Sequence, residues 1–317
     1  MFYKSIIEKN SPSYQLLMLL ILFFVGLFLS SFLFAVFLIP FYGFEILENL
    51  QSVANISDYN SIFLLKMMQL ISSIGSFIIP PLLIAHFSSN NLFSYLAIRK
   101  SDNMLLLLVI TFLLIIISQP IINFTANINS HLVLPEFMNG VEQWMKQKED
   151  EAAMLTEAFL KVNSTSDFLL NLFIIGVLPA IGEELVFRGV MQKLFIKITK
   201  NIHTGIWITA IIFSAIHFEF YGFLPRMLLG AMFGYLFYWS GSIVVTIWAH
   251  FVNNGMGVLL AYLVQKNVVS SDFENLQLPG NEYMWVLAST LSVSALLYWV
   301  YKHKNPAVEQ GFYENLS

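Results

Sequence analysis

Long apolar runs divided by short polar connections set the plan of this chain. Runs at 14–40, 62–87, 104–125, 167–188, 243–264 and 283–301 are each about as long as a bilayer-crossing helix, which takes about 20 mostly apolar residues. Two shorter runs, 203–218 and 224–240, are split by Glu219-Phe220-Tyr221-Gly222 and by Pro225-Arg226, and are expected to be shielded by protein at their ends. The pattern predicts an all-α, polytopic membrane helix bundle of about eight transmembrane helices. Its expected order is three N-terminal helices in 1–125, an extracytoplasmic connection over 126–166, a four-helix core over 167–264, and a last helix with a cytoplasmic tail over 265–317. Within 126–166, Phe137, Val141, Trp144, Met145, Ala152, Leu155 and Phe159 recur at near-helical spacing with Glu and Lys between them. That predicts an amphipathic helix, either lying on the outer membrane surface or solvated. Pro80-Pro81, Pro120 and Pro179 fall inside spans, where a kink is tolerated if neighbours satisfy the freed carbonyls. Pro179 stands one turn before Glu183, so a kink there would help to aim the residues that follow. Gly230-x-x-x-Gly234 reads as a small-residue face for helix packing.

Composition agrees with this plan and removes several kinds of chemistry. The chain has 317 residues, 57% hydrophobic and 11% charged, where a soluble domain carries roughly 25% charged residues. The net charge of −4 is spread over the connections, so nucleic acid is not an expected partner; the lipid bilayer is. With no cysteine there is no disulfide, thiolate zinc site or cysteine nucleophile. The first run is too long for a signal-peptide core of about 7–15 residues and is read as a retained span. Lys and Arg alternate between connections: Lys4 and Lys9, then Arg99 and Lys100, then Lys193, Lys197 and Lys200, then Lys302 and Lys304. The connection 41–61 has only acidic charges, Glu45, Glu48 and Asp58. The positive-inside rule then puts both termini in the cytoplasm of a multi-pass protein, expected in a bacterial cytoplasmic membrane.

Three polar clusters interrupt the apolar runs: Glu183-Glu184-x-x-x-Arg188, Phe213-x-x-x-His217 and His250-x-x-x-Asn254. Ionisable groups in hydrocarbon are costly and are seldom there without a partner or a function. On a helix Glu184 and Arg188 share a face and are expected to pair, while Glu183, turned by about 100°, is left to face a cavity. A carboxylate held there suits the deprotonation of water; the alternative is a structural ion-pair network of all three. His217 alone would read as an interfacial histidine, and Phe213 one turn before it could wall the ring or contact a substrate. His250 and Asn254, one turn apart, offer two donors of the sort an oxyanion needs. Asn253 is placed on another face and given no role. Counted along their helices, these groups reach one depth. There is no His-Glu-x-x-His zinc helix, Gly-x-Ser-Gly segment, intramembrane Asp pair or Gly-rich phosphate loop. Water activated by Glu and His, with or without a metal, remains.

The three motifs, at 183–188, 213–217 and 250–254, resemble those of the CPBP intramembrane proteases, which include the type II CAAX prenyl endopeptidases and the Abi bacteriocin-processing group. The resemblance covers about 167–264. It implies an intramembrane endopeptidase with a conical cavity open to membrane and cytoplasm. Glu183 and His217 would activate water, His250 and Asn254 would stabilise the oxyanion, and Glu184, Arg188 and Phe213 would support them. It favours metal-free catalysis; zinc is the alternative cofactor, with Glu183, His217 and His250 as ligands. The expected substrate is a membrane-anchored protein or peptide. Two further readings use the same groups: a non-catalytic immunity or scaffold protein that binds through the cavity, and a transporter with a Glu/His proton relay.

Overall fold

The computed structural model describes residues 10–44, 59–101, 103–270 and 281–304, and among these every regular element is a helix. Lys4, Lys9, Glu45, Glu48, Asp58 and the tail beyond 304 lie outside the described residues. Among the described residues seven helices are long and apolar enough to cross a membrane. They are α1 (Pro12–Tyr42), α2 (Tyr59–Ser88), α3 (Met104–Ser130), α5 (Thr165–Thr199), α7 (Phe223–Ser240, with the 3-10 turn Phe220–Gly222 before it), α8 (Ile243–Gln265) and α9 (Glu282–Lys302). The connection between α3 and α5 holds α4 (Asn139–Leu160), an amphipathic helix as its spacing predicted. Helix α6 (Ile202–Ala215) is apolar but has only 14 residues. Among the described residues the membrane bundle is therefore seven long helices and one short one.

Helix α6 is short because the chain turns back inside the bundle. Phe218 adopts a left-handed φ of 54°, a conformation no helix can continue through, and the backbone re-enters a helix at Phe223. Asn129, buried at the end of α3, holds this turn from below. Its Nδ2 donates to the Phe220 carbonyl at 2.7 Å and its Oδ1 accepts from the Leu224 N–H at 2.7 Å. It thereby satisfies a first-turn amide of α7 that has no partner in its own helix.

Helix α5 runs 35 residues, well past the apolar run that ended at 188. Its last turns carry Lys193 and Lys197 but bury Leu194 and Ile196 against the rest of the bundle, so the arginine of the first motif lies within a helix rather than at its end. Two helices carry the same irregularity. In α2 a wide π-turn at Ile74–Ile78 precedes Pro80-Pro81, and in α5 another at Leu172–Val177 precedes Pro179. Proline lacks the N–H that would close a regular turn and crowds the carbonyl four residues back; the widened turn makes room for the ring. The helices meet where Gly182 faces Phe77, whose Cβ would lie 2.8 Å from a Cβ added at Gly182.

Helices α5–α8 form the interior, while α1 and α9 bury only 6% and 11% of their most apolar windows and face outward. One buried cluster joins Leu19, Ile84, Leu96, Val190, Phe213 and Phe237; another joins Leu114, Phe233, Leu236, Val245 and Ala249. Apolar area gives little drive to pack helices in lipid, so close approach and buried hydrogen bonds matter more. Gly230 and Gly234 supply both. They bring α7 against Ala210 and Ile206 of α6, and their carbonyls accept from Arg188 Nη2 at 2.8 Å and Gln192 Nε2 at 3.0 Å. The pair of glycines does more than the packing expected of it.

Candidate active site

Arg188 is fully buried, and its Nη1 donates to Glu184 Oε1 at 2.7 Å, so the expected i, i+4 pair is present. The guanidinium lies 5.0 Å from the centroid of Phe213 and 5.5 Å from that of Phe233, between two aromatic faces. The same Glu184 oxygen accepts from Nδ1 of His250 at 3.0 Å. Glu184 therefore ties α5 to α8 and orients the second histidine, a link that sequence spacing could not reveal. Phe213 stands edge-on to both imidazoles, with centroids 5.2 Å from His217 and 6.0 Å from His250, and walls the site as anticipated.

Glu183 points the other way. Its Oε2 lies 3.9 Å from His217 Nε2 and 3.8 Å from His250 Nε2, and it has no hydrogen-bond partner. The tautomers follow from the neighbours. His217 Nδ1 faces the Phe213 carbonyl at 2.7 Å and His250 Nδ1 faces the Glu184 carboxylate, both acceptors, so each Nδ1 carries a proton. In their neutral form the rings then present bare Nε2 atoms toward Glu183. Three acceptors converge on one space, an arrangement that calls for a proton, a water or a cation between them.

A zinc ion would draw its ligands from Glu183, His217 and His250. Two ligands at about 2.1 Å on a tetrahedral ion stand about 3.4 Å apart, closer than the 3.8 and 3.9 Å separations here. Among the described residues no group of three His, Asp or Glu is arranged to hold a metal. A zinc ion held by all three would need Glu183 drawn about 0.4–0.5 Å closer to each imidazole.

Glu183, His217, His250 and Asn254 line one cavity of about 630 Å³, within the size range of ligand sites. Asn254 donates from Nδ2 to the Ile175 carbonyl at 3.1 Å. That carbonyl is four residues before Pro179, whose missing N–H leaves it without its regular helix donor. Asn254 thus repairs the wide turn of α5 while facing the cavity. Asn253, set aside on sequence, also lines the cavity, because it follows His250 by three positions and shares its face. Arg226 and Glu219 are further lining residues that motif spacing missed; they form an ion pair beside His217. An arginine one turn into an apolar helix was the available signal.

The cavity extends from Glu183 toward Gln69, Gly257 and the α4 residues Leu155, Thr156 and Phe159. This is the end opposite the basic stretch 193–200. Helix α4 roofs it. Trp144 packs against Phe220 at 5.3 Å between centroids, and Glu149 accepts from the Tyr221 N–H at 3.4 Å. Burial raises the Glu149 carboxyl above its ordinary value, and the Tyr221 amide partly offsets this.

The fold and these groups define a class, a polytopic membrane bundle with an ionisable site enclosed among its helices. Residues 165–256 match the family described as Type II CAAX prenyl endopeptidase Rce1-like, a range that contains all three motifs. Over that segment the chain is similar to the Rce1-like family. The chain is 29% identical over 86 residues to the uncharacterized protein YpbD of Bacillus subtilis (strain 168). That alignment covers 26% of this chain and 41% of YpbD. No solved structure matches the chain.

Proposed function

We propose that the protein is an intramembrane endopeptidase acting on membrane-associated proteins or peptides. The observation that carries this reading is Glu183 Oε2 facing the bare Nε2 atoms of His217 and His250 at 3.9 and 3.8 Å within a cavity. A water in that space donates one proton to Glu183 Oε2 and the other to His217 Nε2, which leaves its lone pair free for a carbonyl carbon. As the C–O bond forms, Glu183 takes the first proton as general base and later gives it to the leaving amine while the C–N bond breaks. The developing oxyanion meets the second N–H of Asn254. His250 Nε2 joins as a donor only when its ring carries both protons, and Glu184 on Nδ1 fixes the ring for that task. Glu184, Arg188 and Phe213 do not reach the reacting atoms; they hold the histidines. The similarity to the Rce1-like family over 165–256 supports the same reaction class. No step here passes through a metal.

Mass-spectrometric profiling of new peptide N-termini tests the reading, in membranes of cells expressing wild type or Glu183→Gln at matched folded levels. Termini that appear only with wild type are expected, and they name the substrates. Identical profiles from the two would overturn the reading.

A further inference from the structure

The polar lining of the cavity exceeds what that mechanism uses. Along α8, His250, Asn253, Asn254 and Gly257 all line it, a stripe at i, i+3, i+4 and i+7. Asn254 is engaged at both ends of its amide, donating to Ile175 and accepting from Asn253 Nδ2 at 3.1 Å. Asn253 makes only that one bond; its Oδ1 and second N–H have no partner among the described residues. On α2, Gln69 repeats the arrangement. Its Nε2 donates to Ser73 Oγ at 3.2 Å, and its Oε1 and second N–H are left over. Next to Asn253 the face is cleared, since a Cβ added at Gly257 would meet nothing within 4 Å.

A carboxamide offers one acceptor and a donor pair, the complement of a peptide group. A substrate that lies in a bilayer as a helix has its backbone satisfied internally, and opening it strands N–H and C=O groups where no water can take them. Water attack needs that opening, because the scissile carbonyl must leave its helix bond to be reached. An apolar cavity supplied with spare amides on two helices is built to receive such a stretch.

We propose that Asn253 and Gln69 bind the backbone of a locally unwound substrate segment and replace the helix hydrogen bonds it has lost. The purpose of this binding rests on the endopeptidase reading; its measurement does not. The test uses Glu183→Gln protein in lipid nanodiscs and two fluorescein-labelled Leu-Ala peptides of about 20 residues. The peptides are lysine-flanked and identical except for a central Gly-Pro pair that opens one helix. The opened peptide is expected to bind about tenfold tighter. Asn253→Leu and Gln69→Leu should each remove most of that preference and leave the affinity for the continuous helix unchanged. Equal affinities for the two peptides, or a preference that survives both substitutions, overturns the proposal. The two substitutions lie on different helices, so a folding defect in one, checked by thermal unfolding, leaves the other decisive. If wild type shows no Glu183-dependent cleavage while the preference and its loss stand, the endopeptidase reading falls and the backbone-binding site remains.

Discussion

Glu184 is wholly buried and shares one oxygen between Arg188 and His250, so removing its charge exposes two partners at once. Glu184→Gln leaves the Arg188 charge uncompensated in the interior and is expected to cost about 3–5 kcal/mol. Thermal unfolding in detergent checks this. Replacing both residues with apolar ones, Glu184→Leu with Arg188→Met, should cost less than Glu184→Gln alone, because no unpaired charge is left behind. The pairing of Glu184 with Arg188 was legible in the sequence, since four-residue spacing on a helix brings side chains together. Its bond to His250, 66 positions away, was not, because no local rule links two helices. Asn253 was misplaced for a related reason. Its face was judged against Asn254, whereas His250, three positions back, shares its side of the helix.

Individual helices show where close approach is used and where space is kept. A Cβ at Gly234 would lie 2.7 Å from Ile206 Cγ2 and 2.9 Å from Gln192 Oε1, so Gly234→Ala is expected to destabilise by about 1–3 kcal/mol. Gly257→Ala meets nothing and should leave stability unchanged. Denaturation of the two variants side by side distinguishes a packing glycine from a cavity glycine, and comparable losses would contradict the assignment. The shortness of α6 could be read from the polar knot after it. The length of α5 could not, because its last turns mix Gln and Lys with apolar residues and resemble a loop in composition. The π-turns leave no mark in hydropathy; prolines follow those at Ile74–Ile78 and Leu172–Val177, and a third at Phe187–Met191 has not even that signal.

For the whole molecule, the cavity and the basic connections lie at opposite ends, so orientation decides the compartment in which a substrate would be met. The positive-inside rule predicts that the basic end faces the cytoplasm and α4 the other side. A chain without cysteine makes this easy to examine. Thr156→Cys should react with a membrane-impermeant thiol reagent in intact cells, and Lys200→Cys only after permeabilisation; the reverse pattern would invert the orientation. The wide turn before Pro179 carries a wider lesson about recognising such proteins. It stores one residue more than a regular helix would use. Deleting Gly176 would close the turn to a regular one and leave Glu183 facing the same way, because the residue removed is the one the turn stores. Straightening the turn while keeping that residue would instead swing Glu183 by about 100° relative to the start of α5. A homologue that kept the residue and lost the turn would pass every motif search with its glutamate turned away from the histidines, so the geometry of that turn is a better guide to activity than its letters.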